Sequence, residues 1–105
     1  MPKINELIRQ HLAVIITREL ELPEGMIITL TKVTTSKDLH YASVYLSVLP
    51  DDKSQEAMKI LINAAKDLRT LLANDIVIRY TPKLRFEIDE SERKASELDR
   101  LLNNL

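Results

Sequence analysis

Pro82-Lys83-Leu84-Arg85-Phe86-Glu87-Ile88-Asp89 alternates without interruption. Leu84, Phe86 and Ile88 fall on one side, and Lys83, Arg85 and Glu87 on the other. A period of two is that of an extended strand, whose successive side chains point to opposite faces. This strand therefore has one face to bury and one to leave in water, and it needs a sheet beside it and an apolar layer beneath it.

The rest of the chain supplies both. Upstream, Ala57, Ile60, Leu61, Ala64, Leu68, Leu71 and Leu72 keep helical spacing from Ser54 to Ala73, and Asn74-Asp75 closes the run. Its Ala-Ala-Lys centre is good helix material, so nothing in 54–73 forces a break. Further upstream lie two strand-like stretches. Met26 to Thr34 is rich in Ile, Thr and Val. Tyr41 to Leu49 alternates Ala42, Val44, Leu46 and Val48 with Tyr41, Ser43, Tyr45 and Ser47. The short polar link Thr34-Thr35-Ser36-Lys37-Asp38 predicts an antiparallel hairpin. Ile4, Leu7, Ile8, His11, Leu12, Ile15 and Ile16 predict a first helix over 3–20, ended by Leu22-Pro23-Glu24-Gly25. Asp52 or Ser54 can cap the long helical run, and Asp89-Glu90-Ser91-Glu92 a last helix striped with Ala95, Leu98, Leu101, Leu102 and Leu105. The class is α+β, a three-stranded sheet covered by helices.

At 105 residues the chain is expected to be a single domain, 1–105, able to bury roughly 65% of its unfolded surface. A 45% hydrophobic and 30% charged composition is that of a globular protein. There is no cysteine, which removes disulfides and thiolate chemistry and fits a reducing cytoplasm. The apolar run Leu12-Ala13-Val14-Ile15-Ile16 is too short to span a membrane.

The residues offer no enzymatic constellation. There is no Gly-rich phosphate loop and no G-x-S-x-G elbow. His11 sits beside the apolar face of the first helix and reads as a boundary residue, and His40 as an exposed one. Asp51-Asp52 and Asp89-Glu90 fall at helix starts, where capping accounts for them.

The charge distribution says more than the net charge of −1. Residues 1–56 carry a net −2, residues 57–86 a net +4 and residues 87–105 a net −3. The positive stretch holds Lys59, Lys66, Arg69, Arg79, Lys83 and Arg85, with Arg9 and Lys37 as secondary candidates elsewhere. Lys59 and Lys66 align on one helix face with Arg69 a turn beyond, and Lys83 and Arg85 share a strand face. If those surfaces meet they form a seam that can track a phosphate backbone, as a small RNA-binding module would. Tyr41 and Tyr45 could stack bases, but packing beneath the last helix is the favoured expectation. A rival reading makes the Leu98/Leu101/Leu102/Leu105 stripe a docking face for a protein partner.

Ala64-Ala65-Lys66-Asp67-Leu68-Arg69, Leu71-Leu72, Ile78-Arg79, Thr81-Pro82-Lys83-Leu84-Arg85-Phe86 and Asp89-Glu90-Ser91 together resemble the ribosome-binding factor A family. So do the hairpin, Val33-Thr34-Thr35-Ser36-Lys37-Asp38-Leu39 with Ala42, Val44-Tyr45 and Ser47, and the Leu101-Leu102 end. The resemblance implies a KH-like type II fold, αββααβ plus a C-terminal helix. It implies a bacterial or organellar, non-enzymatic assembly factor without a cofactor. Such a protein binds the rRNA of the immature small ribosomal subunit and assists its late maturation. A cytoplasmic monomer, off the membrane, is expected. The family places an Ala-x-Gly kink between its second and third helices. Here the matching tripeptide is Ala64-Ala65-Lys66, without the glycine.

Overall fold

The computed structural model describes residues 2–78, 80–91 and 101–102. Helix α1 spans Pro2–Glu19, strand β1 Ile27–Thr35, strand β2 Tyr41–Leu49, helix α2 Ser54–Asp75 and strand β3 Lys83–Ile88. The sheet order is β1-β2-β3, with β1 antiparallel and β3 parallel to the central β2. A parallel pair needs a crossover, and α2 is that crossover. Both helices lie on one face of the sheet, α1 mainly over β1 and α2 mainly over β3, and they touch each other.

The apolar patterns decide this arrangement. Ile8, Leu12, Ile15 and Ile16 of α1 and Ala57, Leu61, Leu68 and Leu72 of α2 are buried at helical spacing. They close on Leu30 and Val33 of β1, Ala42, Val44, Leu46 and Val48 of β2, and Phe86 of β3. The other face of β2 carries Tyr41, Ser43, Tyr45 and Ser47, all at least partly open to solvent. At the end of β1, the Thr35 hydroxyl donates to Asn5 Oδ1 at 2.8 Å and ties the sheet to α1.

Four local features refine the sequence reading. First, the segment between β2 and β3 is one continuous 22-residue helix, as the unbroken pattern over 54–73 predicts, rather than the two that the family resemblance implies. Lys66 is not among the residues with positive φ, so nothing at the Ala64-Ala65-Lys66 site breaks the ladder. Second, neither Asp52 nor Ser54 caps α2. A 3-10 turn, Asp51–Lys53, leads into it, and the cap position is Lys53, which makes no side-chain capping bond. Third, β1 shifts register between Leu30 and Lys32, so Thr31 is an extra residue facing the ladder. Its hydroxyl donates to Asp89 Oδ2 at 2.6 Å and lies 3.2 Å from the Tyr45 carbonyl. Fourth, Val77 in the apolar Ile76-Val77-Ile78 stretch is fully exposed, and only Ile76 is buried.

Beyond β3, Asp89 Oδ1 accepts the Ser91 N–H at 2.9 Å, the geometry of a helix start. The Leu stripe expected after it falls mostly outside the described residues. So does the expected packing of that helix on the tyrosines. Among the described residues, no helix is long and apolar enough to cross a membrane.

Candidate nucleic-acid interface

The parallel pairing of β2 with β3 sets the site. Lys83 is the register partner of Tyr41, and Arg85 that of Ser43. Leu84 and Phe86 turn inward, so Lys83 and Arg85 emerge on the face away from the helices. The Lys83 N–H donates to the His40 carbonyl at 2.8 Å, which joins the start of β3 to the β1–β2 turn. From α2, Arg69 Nε donates to the Thr81 carbonyl at 2.9 Å and holds the guanidinium against the segment entering β3.

Two adjoining clefts result. One, of about 330 Å³, is lined by Ala65, Lys66, Arg69, Lys83 and Leu84. The other, of about 280 Å³, is lined by Leu39, His40, Tyr41, Arg69, Tyr80, Thr81 and Lys83. Arg69 and Lys83 stand between them and belong to both. Helix α2 and the edge strand β3 therefore bring three of the sequence candidates, Lys66, Arg69 and Lys83, to one seam. Arg85 follows two residues along the strand, roughly 7 Å from Lys83. Its guanidinium lies over the Tyr41 ring at 3.9 Å.

The remaining candidates are placed differently. Lys59 is exposed on α2, about 10 Å nearer its start than Lys66, and lines neither cleft. Lys37 is exposed in the turn that carries His40. Arg9 lies on α1 beside β1, at the opposite side of the sheet from the seam, and is paired with Glu6. Arg79 lies outside the described residues.

The electrostatics favour an anion at the seam. Among the described residues, Lys37, Lys59, Lys66, Arg69, Lys83 and Arg85 make no ion pair. The nearby carboxylates are fewer than the cations: Asp67 beside Lys66, Asp38 in the β1–β2 turn and Glu87 on β3. Asp38 accepts from the Ser36 hydroxyl at 2.7 Å and from the His40 N–H at 3.1 Å, and these bonds hold its pKa below the usual range. Glu87, next along β3 after Arg85 on the same face, pairs with Tyr45 and raises the phenol's pKa. Lys32 lies over that ring at 4.6 Å. No group of three or more potential metal-binding side chains occurs among the described residues.

Sequence reasoning missed the aromatic half of the site. It read His40 only as exposed and gave Tyr80 no role. The pairing of Lys83 with Tyr41 carries both to the cations, and that register depends on the length and tilt of the α2 crossover.

Comparisons to known proteins bear on the fold and the family. The sequence pattern described as ribosome-binding factor A matches residues 1–102. The chain belongs to the ribosome-binding factor A family. It is 35% identical to ribosome-binding factor A of Chromohalobacter salexigens over 104 residues, 96% of this chain and 79% of that protein. The crystal structure of ribosome-binding factor A from Thermus thermophilus superposes with a TM-score of 0.72 at 28% identity, covering 82% of this chain and 92% of that one. A homology model of the Thermus thermophilus protein, fitted into a cryo-electron microscopy map of its complex with the 30S particle, gives 0.70 at 28% identity over 82% and 91%. The fold is thus that of the ribosome-binding factor A family.

Proposed function

We propose that this protein binds the immature small ribosomal subunit through its rRNA, and assists late maturation of that subunit in the cytoplasm. The observation that carries the reading is the seam itself. Lys66 and Arg69 from α2 and Lys83 from β3 line shared clefts, with Arg85 beside them, and none of the four is neutralised by a described carboxylate. Family membership and a relative fitted into a 30S complex support the choice of polyanion. These side chains would contact phosphates, which position a protein on RNA without reading its sequence, so selectivity would follow RNA shape.

A salt titration of binding to purified small subunits tests this. Four phosphate contacts give a slope of log affinity against log salt of about −3. The double variant Lys66→Gln/Lys83→Gln should flatten that slope and release the protein from small subunits on sedimentation. Equal affinity at low and high salt would refute the assignment.

A further inference from the structure

We infer that the cleft between the β1–β2 turn and the segment entering β3 is a subsite for one unpaired RNA nucleotide, its base held by Tyr80 and His40 and its phosphate by Arg69 and Lys83. The inference rests on the RNA-binding reading above and narrows it, because the seam alone would accept any polyanion.

Four observations support a nucleotide. The first is ring geometry. The His40 and Tyr80 rings lie 6.4 Å apart at 80°, so they form a corner. A flat base laid on one ring meets the other nearly edge-on, where an imidazole nitrogen can hydrogen-bond to it. Tyr80 is 53% exposed, so a ligand can reach it from solvent. The second is charge. Arg69 and Lys83 line the same cleft, and Arg69 is held internally through Nε, which leaves its terminal nitrogens for a phosphate oxygen.

The third observation is size. About 280 Å³ lies just below the roughly 300–1,000 Å³ of ligand sites, a size that suits one nucleotide and excludes a duplex end. The bases of a duplex are also stacked on one another, and their faces are closed to aromatic side chains.

The fourth is preorganisation. The turn bearing His40 is fixed by the Ser36 N–H to the Tyr41 carbonyl at 2.9 Å and by the Tyr41 N–H to Ser36 Oγ at 3.1 Å. The Asp38 carboxylate accepts the His40 N–H. Leu39, which also lines the cleft, has φ 62°, a left-handed conformation that costs a non-glycine residue energy. The opposite wall is fixed by Arg69 on Thr81 and by Lys83 on His40. A ligand therefore meets walls that need no ordering, which reduces the entropic cost of binding.

The test compares a short oligouridylate, an A-form RNA duplex and inorganic polyphosphate. Binding is read by intrinsic tyrosine fluorescence, which a stacked base quenches, and by small-subunit sedimentation. Tyr80→Ala should weaken oligouridylate binding roughly 5- to 100-fold while leaving duplex affinity and the salt slope unchanged. Tyr80→Phe should keep the affinity but lose the quenching that Tyr80 contributes, a pairing that a merely structural tyrosine would not give. Polyphosphate should not match oligouridylate at equal charge. Equal affinity for all three probes, with wild-type protein still sedimenting with small subunits, overturns this inference alone. Failure of the wild-type protein to sediment overturns the reading beneath it, and the inference with it.

Discussion

Replacing Lys66 separately by alanine and by glycine decides whether α2 is one helix. Lys66 lies near the middle of the 22-residue helix, exposed and in helical conformation, and its carbonyl accepts the Thr70 hydroxyl at 3.2 Å. Both variants remove the same charge and leave no buried hole, so their difference isolates backbone preference. In a helix interior glycine is less favourable than alanine by about 1 kcal/mol. For a domain of this size that is a fall in melting temperature of about 4–8 °C for the glycine variant relative to the alanine variant. If residue 66 instead sat at a kink with positive φ, alanine would carry a penalty of about 1–2 kcal/mol and glycine none. The sign of the difference would reverse. Urea unfolding followed by far-ultraviolet circular dichroism, with the midpoint and slope fitted separately, measures it. A glycine variant as stable as the alanine variant, or more so, would refute the continuous helix.

Two further outcomes follow from the packing and from the Thr31 bulge. Leu68→Ala removes a side chain 1% exposed at the α2–sheet contact and should cost about 2–5 kcal/mol, read by the same urea titration. A cost under about 1 kcal/mol would mean the core does not close there. Asp89 is held at a pKa of about 2 by the Thr31 hydroxyl and then by Ser91, against an ordinary value of 3.8. A depressed carboxylate stabilises the fold above its unfolded pKa and loses that contribution as pH falls from about 4 to about 2. Asp89→Asn should therefore flatten the fall in melting temperature over that window, and an unchanged profile would remove Asp89 from the account.

What was legible in the sequence was the part governed by local period. Leu84-Arg85-Phe86 had to place its apolar residues together, and Phe86 is buried while Arg85 is exposed. Ala42, Val44, Leu46 and Val48 gave the core face of β2 for the same reason. The run 54–73 lacked any helix breaker, and it is unbroken. What was not legible depends on pairing at a distance. An extra residue at Thr31 leaves no mark on composition, because threonine suits a regular strand equally well. The capping role expected of Asp52 or Ser54 failed because a 3-10 turn precedes α2 and moves the cap to Lys53. Arg69 could be assigned to a helix face but not to the Thr81 carbonyl, which the crossover brings to it.

The same distinction explains how a chain of net charge −1 can present a cationic seam. Net charge sums over the whole molecule, whereas screening at physiological salt limits exposed charges to about 8 Å. Within that range the placement of acids matters more than their number. Glu6 is committed to Arg9, Glu19 to Arg18 and Glu56 to Lys53, all on α1 or at the start of α2. Asp89 is committed to Thr31, and Asp38 to its own turn. Two exposed acids remain beside the seam, Asp67 next to Lys66 and Glu87 next along β3 after Arg85, against the four cations Lys66, Arg69, Lys83 and Arg85. The parallel β2–β3 pairing and the Arg69–Thr81 bond then bring Lys66, Arg69 and Lys83 around shared clefts. A polyanion approaching that edge meets an excess of positive charge, although the molecule as a whole is slightly acidic.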